Sequence, residues 1–466
     1  MLNEGTIIAK ATASGISAIS VIRLSGVDSI KMVSNCFKTK SGKLLTNQKS
    51  HTIHLGLIYD KERVIDEVLV SLFIGPNSYT GENVVEISCH GSTYIQQEIF
   101  QLFINEGAKP AKPGEYTLRA FLNQKINLIQ AEAVADLITS ESKAAHEVAF
   151  NQMKGGYTLH ISKLRQQLLD FASLITLELD FSEEDITFAD RSELNKLLNE
   201  LQEKIKLLIE SFQYGSVIKQ GIPVAIAGKP NAGKSSLLNV ILNEDRAIVS
   251  SIPGTTRDTI EDTLTIDGIQ FRFIDTAGIR ETNDQIELIG VAKAKEKVNQ
   301  AKILMYLFDR SDISEKELFN SIRSFKREGL IIIIIENKID LIVKSDHSTL
   351  NNSLKKELQN NLFAAFIEIS TFDTASVNKL KTLLFNLVKS NLTTGDVIVS
   401  NARHLNSLEN SLKAIINIKK GIKENLSGDL LTVHINEALN CLGEISGQIT
   451  NDELLGNIFS KFCIGK

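Results

Sequence analysis

The stretch Gly-Lys-Pro-Asn-Ala-Gly-Lys-Ser-Ser, from Gly228 to Ser236, has the residue types and the spacing needed to hold a polyphosphate. Its G-x-x-x-x-G-K-[ST] pattern puts glycines at 228 and 233, where the backbone must curl so that successive N–H groups face one anion. Asn231, Ala232, Gly233, Lys234, Ser235 and Ser236 are the expected contacts. In such a loop Lys234 reaches the β- and γ-phosphates, and the Ser235 hydroxyl ligates Mg²⁺. An apolar run, Val224 to Ala227, precedes the loop and another, Leu237 to Leu242, follows it. A buried strand is therefore expected to turn into a helix here, whose N-terminus adds partial positive charge.

Three segments further on extend this chemistry. Pro253-Gly254-Thr255-Thr256-Arg257-Asp258 follows the loop helix, and a threonine in such a switch segment completes a Mg²⁺ shell when γ-phosphate is present. Asp275-Thr276-Ala277-Gly278 ends an apolar strand, placing Asp275 for a water-mediated Mg²⁺ contact and Gly278 for an N–H contact to the γ-phosphate. Asn337-Lys338-Ile339-Asp340 ends a run of five isoleucines and reads guanine. The Asp340 carboxylate accepts from the ring N–H and the exocyclic amine, while Asn337 meets the other edge. Adenine lacks that amine and would leave the carboxylate unpaired. Ile369-Ser370-Thr371 stands where such enzymes usually show Ser-Ala with a lysine; Ser370 suits a role in supporting the base, and none is assigned to Thr371.

Ile279 follows Gly278, where many GTPases place a glutamine that orients water. Isoleucine has no hydrogen-bonding group, so another residue must do that work. Asn231 and the stretch Ser250-Ser251-Ile252-Pro253-Gly254-Thr255 offer oxygens for a monovalent cation beside the phosphates. Asn231 equally suits a loop-stabilising role.

These residues need elements to position them. Ile222 to Ala227, Gln270 to Ile274, Ile303 to Phe308, Leu330 to Ile335 and Phe366 to Ile369 are short apolar runs, most of them separated by helical patterns. Five consecutive isoleucines have no polar face, so that strand must be covered on both sides, as in a parallel sheet flanked by helices. Upstream, Thr6 to Thr12, Ala18 to Leu24, Thr52 to Tyr59, Val64 to Ile74 and Val84 to His90 read as strands, and Asp28 to Phe37 and Thr93 to Glu106 as helices. After Lys112-Pro113-Gly114 the period becomes helical, with Leu194, Leu197, Leu198, Leu201, Ile205, Leu208 and Ile209 on one stripe and a connection at Phe181 to Asp185. Beyond Asn401 it is helical again, with the last helix expected to stop near Gly465. The expected architecture is multidomain α/β: an N-terminal α+β domain (1–118), a helical domain in two parts (119–216 and 391–466), and a Ras-like P-loop GTPase domain (217–390) inserted between them.

A chain of 466 residues exceeds one ordinary core, in keeping with this division. Its formal net charge of −5 argues against a protein coated in nucleic acid, while leaving room for a local basic patch. Cys36, Cys89, Cys441 and Cys463 make no C-x-x-C pair and no zinc spacing, which suits a reducing cytoplasm. No signal peptide is expected at the N-terminus, and the most apolar segment, Leu330 to Ile335, is too short to span a bilayer.

From end to end the chain resembles the MnmE (TrmE) tRNA-modification GTPases. The resemblance is carried by Ile22-Arg23-Leu24-Ser25-Gly26, Gly75-Pro76-Asn77-Ser78, Thr80-Gly81-Glu82, Ala120-Phe121-Leu122-Asn123-Gln124-Lys125, the nucleotide block, and the terminal Phe462-Cys463-Ile464-Gly465-Lys466. It implies a homodimeric, K⁺-dependent GTPase working with a flavoprotein partner, MnmG, which carries FAD. Together these add an aminomethyl or carboxymethylaminomethyl group at C5 of the wobble uridine of certain tRNAs, with a 5-formyl- or 5,10-methylene-tetrahydrofolate donor. It further implies that Arg23, Glu82, Lys125 and Lys466 bind the folate. Asn231, Ser250, Ile252 and Thr255 would hold K⁺, Ser235 and Thr256 would hold Mg²⁺, and Glu287 would orient the attacking water. Cys463 suits a catalytic role at the modification centre and equally a role as a buried small hydrophobe.

Two other readings stand beside this one. Era-like ribosome-assembly GTPases share the phosphate loop, D-T-A-G and N-K-x-D, but typically append a KH module with a G-x-x-G loop. No G-x-x-G follows residue 390. A GTP-switched scaffold that does no modification chemistry would need no folate pocket.

Overall fold

The structure, a computed structural model, describes residues 5–180, 191–243, 262–274, 298–341, 348–360, 362–389, 398–424 and 426–465. The chain divides into two compact units. Met1–Thr139, Ala149–Lys206 and Asn406–Lys466 form one, and Ser140–Val148 with Leu207–Leu405 form the other.

In the first unit seven strands make one sheet: β1 (Ile7–Lys10), β2 (Ser17–Ser25), β3 (Phe37–Thr39), β4 (Thr52–Asp60), β5 (Arg63–Phe73), β6 (Val84–Gly91) and β7 (Lys109–Pro110), in the order β3-β4-β5-β6-β2-β1-β7. Along β5 every second residue turns inward, so that Val68, Val70 and Leu72 are buried while Glu67 and Leu69 are exposed. Helices α1 (Ser29–Cys36) and α2 (Thr93–Asn105) contribute Val33, Cys36, Ile99, Leu102 and Phe103 to the same core. Two strands were not visible in the sequence. β3 and β7 are three and two residues long, too short for an alternation to register. β7 contains Pro110, tolerated because β7 is the sheet edge beside β1.

Helices α3 (Glu115–Leu122), α4 (Leu128–Thr139), α5 (Lys143–Met153), α6 (Gly156–Asp180) and α7 (Arg191–Gln220) follow, and the chain ends in helices Ala402–Lys423, Gly428–Ser446 and Asp452–Phe459. The expected stripe on α7 is realised by Leu198, Leu201, Ile205 and Leu208, all buried, whereas Leu207 points to solvent. The expected connection at 181–185 lies outside the described residues. A helix reaching Gly465 is not what forms: the last helix stops at Phe459, and Gly465 takes a φ of 95° that favours glycine.

The second unit contains β8 (Ile222–Ala227), β9 (Asp262–Ile266), β10 (Ile269–Phe273), β11 (Ile303–Phe308), β12 (Ile331–Glu336) and β13 (Ala365–Glu368) in the order β13-β12-β11-β8-β10-β9. All neighbours are parallel except the edge pair β9–β10. The isoleucine run behaves as its composition demands: Ile333 and Ile335 enter one core, and Ile332 and Ile334 enter the core on the opposite face. β9 was missed in the sequence, although Asp267-Gly268 is a hairpin turn with φ of 48° and 84°.

Candidate functional site

The parallel sheet brings the nucleotide motifs to one edge, because β8, β11, β12 and β13 all end there. The loop after β8 runs through Gly228 (φ 146°), Asn231 (φ 62°) and Gly233 (φ 93°) into helix α8 (Lys234–Asn243). Neither glycine leaves space for a side chain: a Cβ at Gly228 would lie 2.0 Å from the Leu307 carbonyl oxygen, and one at Gly233 2.2 Å from Asn337 Nδ2. The Lys234 ammonium folds onto the loop, donating to the carbonyls of Gly228 (2.9 Å) and Lys229 (2.7 Å). Burial holds its pKa below the ordinary lysine value. Ser235 and Ser236 follow in the first turn of α8, at the helix end that attracts anions.

The guanine motif is tied to this loop. Asn337, buried at the end of β12, donates Nδ2 to the Ala232 carbonyl at 2.9 Å, and among the described residues its Oδ1 is buried without a hydrogen-bond partner. Lys338 (φ 63°) pairs with Asp309 at 2.9 Å. Burial would raise the Asp309 carboxyl, but hydrogen bonds from Ser311 and Lys338 outweigh it and hold it below the usual range. The Ile339 N–H donates to Ile369 at 3.3 Å, and Ser370 Oγ donates to Asp340 Oδ1 at 2.6 Å. Behind the motif Glu336 is fully buried and held at 2.7 and 2.8 Å by Arg310.

A second cluster lies in the first unit. Arg23 on β2 faces Glu86 on β6, with its Nη2 at 2.7 Å from the carboxylate. Its guanidinium lies 5.8 and 5.6 Å from the ring centres of Tyr79 and Tyr116, and its Nη1 donates to the Gly465 carbonyl at 3.3 Å. Glu82 accepts from Ser25 (2.7 Å) and from Arg119 (2.9 Å), while buried Arg119 also pairs with buried Glu115. Lys125 donates to the Pro76 carbonyl at 2.9 Å and packs beside Gly81, one residue before Glu82. The C-terminal segment docks rather than hangs free. Phe462 is buried against Phe459, the Gly114 N–H donates to the Cys463 carbonyl at 3.4 Å, and a Cβ at Gly465 would strike the Lys10 carbonyl oxygen at 2.4 Å. The Cys463 side chain is exposed.

Comparison with known proteins bears on both clusters. The MnmE helical domain matches residues 128–463, and the N-terminus of the GTP-binding protein TrmE matches residues 6–125. The tRNA modification GTPase MnmE of Flavobacterium johnsoniae is 53% identical over 471 residues, covering 100% of both chains. That of Bacteroides thetaiotaomicron is 50% identical over 472 residues, again covering 100% of both. The chain belongs to the MnmE family of tRNA-modification GTPases. A solved structure of Aquifex aeolicus Era bound to GDP.AlF4- is 26% identical, and the match covers 41% of this chain and 66% of that one at a TM-score of 0.27.

For an MnmE-family chain, the expected site residues fall into two groups. Asn231 to Ser236, Asn337 to Asp340, Arg23, Glu82, Lys125 and Cys463 have the positions given above. Ser250, Ser251, Ile252, Pro253, Gly254, Thr255, Thr256, Asp275, Thr276, Ala277, Gly278, Glu287 and Lys466 lie outside the described residues. The MnmE-family fold also recruits side chains that sequence reasoning passed over. Glu86 is recognisable as the partner of Arg23 only once β2 and β6 are in register, and Arg310 meets Glu336 across the β11–β12 pair. Glu115 and Arg119 carried a weak signal, an opposite-charge pair four residues apart.

Proposed function

We propose that this chain hydrolyses GTP in the course of tRNA modification. Together with an FAD-carrying flavoprotein partner, MnmG, it adds an aminomethyl or carboxymethylaminomethyl group at C5 of the wobble uridine, using a tetrahydrofolate one-carbon donor. The observation that carries the nucleotide part is the Asn337–Ala232 hydrogen bond, which fixes the guanine motif against the phosphate loop. A base on Asp340 and phosphates on Lys234 are then the two ends of one ligand, as in a guanine nucleotide.

The family implies Mg²⁺ and K⁺ beside the phosphates. Ser235 and Thr256 would hold Mg²⁺, and Asn231, Ser250, Ile252 and Thr255 would hold K⁺; bound there, both cations would supply positive charge to the phosphate oxygens. Asn231 sits in the left-handed region inside the loop, consistent with a side chain turned to a local polar role. Lys234 neutralises phosphate charge, and Glu287 orients the attacking water. Arg23 beside the Tyr79 and Tyr116 rings, with Glu82 held by Arg119 and Lys125 close by, gives charged and aromatic surroundings that suit a folate. Lys466 would join them, since the chain reaches Arg23 at Gly465.

A homodimer acting on tRNA in the cytoplasm belongs to the same proposal. No helix among the described residues is long and apolar enough to cross a membrane. The deciding experiment is mass spectrometry of wobble uridines from cells lacking this chain. Loss of the C5 substituent, restored by the intact gene, supports the proposal; unchanged uridines with failing ribosome assembly would favour the Era-like reading. Retention of labelled 5-formyl-tetrahydrofolate by the purified protein separates it from a scaffold.

A further inference from the structure

Phe372 is 91% exposed, the highest value of any large apolar side chain among the described residues. No core calls for a ring at this place, since β13 has ended at Glu368 and helix Thr374–Lys389 has not begun. The turn that carries it is firmly held. The Phe372 N–H donates to Ser370 Oγ at 3.3 Å, and that same oxygen donates its proton to Asp340 at 2.6 Å. Next in the chain, Asp373 accepts from the N–H groups of Ala375 and Ser376 at 3.1 Å each, and its own N–H donates to the Ser370 carbonyl at 3.0 Å. The backbone is thus fixed on both sides of Phe372, so its ring is kept at the rim of the guanine motif and out of the core.

An isolated surface phenylalanine needs no explanation in general. This one is joined to the base-reading carboxylate through a single serine oxygen. Asp340 recognises an edge of the purine, so it must lie near the plane of the base, and both faces of the ring system are then left for neighbours to cover. We propose that Phe372 covers one face of the bound guanine. The proposal rests on the reading of this chain as a guanine-nucleotide enzyme. Stacking removes water from the base and from the phenyl ring together, and every hydrogen bond that Asp340 makes then forms in a drier site. Phe372 is on this view a residue for affinity and residence time, contributing nothing to the phosphoryl step itself.

The chain contains no tryptophan, which makes the test direct. Phe372→Trp places a single indole at the proposed contact in the full-length protein. Its emission is expected to change on titration with GDP, to saturate with the binding curve, and to ignore ATP. Phe372→Ala is expected to weaken GDP binding roughly tenfold, the order of one base–aromatic stack, mainly through faster dissociation. Steady-state GTP hydrolysis by Phe372→Ala should show a raised KM and an unchanged kcat. GDP affinity in Phe372→Ala equal to that of the parent would overturn the proposal and leave the ring to a macromolecular contact. So would an indole emission indifferent to saturating GDP. A parent protein that itself fails to bind GDP would overturn the nucleotide reading as well, so the two failures are distinguishable.

Discussion

Ser370 donates its hydroxyl to the Asp340 carboxylate at 2.6 Å, across thirty residues of chain. The bond orients the group proposed to read the base, and one lone pair of Oδ1 is spent on it. The rest of the carboxylate would remain for the two donors of a guanine edge. Asp340→Asn should weaken GTP binding by on the order of a hundredfold or more and shift preference toward xanthosine nucleotides, whose carbonyl faces the new amide donor. Ser370→Ala should cost only about 1 kcal/mol of nucleotide affinity, because the carboxylate persists and loses its orientation alone. Competition binding with GTP, XTP and ATP checks both; equal affinity of the parent for ATP and GTP would end this account of Asp340.

Half-buried Arg310 pairs with fully buried Glu336 directly behind the guanine motif. Arg310→Met leaves a fully buried carboxylate without its counter-charge and should destabilise the chain by about 3–5 kcal/mol. Replacing both by apolar residues of similar size should recover most of that loss. Denaturant unfolding of the two variants decides it: similar losses in both would mean that the pair acts through packing.

Hydrolysis should depend on a monovalent cation of the size of potassium. Ile279 cannot orient water or supply charge, so the developing charge on the phosphates needs another stabiliser. Exchanging K⁺ for Na⁺ at constant ionic strength should slow turnover roughly a hundredfold. In Asn231→Ala the difference between the two salts should shrink. A rate indifferent to the exchange would remove the cation from the account.

Glu287 should serve turnover and not binding. A carboxylate can orient water even where it is a weak base, so Glu287→Ala is expected to keep GTP affinity within about threefold and to lose hydrolysis by roughly 10²–10⁴. A helix-surface glutamate would instead give a parental rate. Single-turnover measurements with pre-bound GTP separate the two outcomes.

Cys463 sits on a terminal segment packed within the first unit, with Phe462 buried and Gly465 on Arg23, while its own side chain stays exposed. Cys463→Ser should therefore leave fold and GTP hydrolysis close to parental and abolish wobble-uridine modification in cells. Were Cys463 a packing residue only, both activities would fall together or neither would. Removing the last five residues should also release Arg23 from its Gly465 contact and lower folate retention.

Much of this protein is written in short-range order. The Gly228–Ser236 loop, Asn337–Asp340 and their placement at strand ends follow from local spacing, because a phosphate loop needs its glycines within a few residues of its lysine. The five isoleucines announced a strand covered on both faces, and the two cores on either side of β12 are the physical consequence. Strands β4, β5 and β6 were legible for the same reason: a period of two is visible wherever a strand is long enough to repeat it. What tertiary structure alone decided is pairing at a distance. Arg23 meets Glu86 through antiparallel register, Asp340 meets Ser370 because two parallel strands end side by side, and Gly465 reaches Arg23 because the last helix stops early, at Phe459. Register and strand order are set by the sum of many weak contacts over the whole sheet, so no single residue or spacing encodes them.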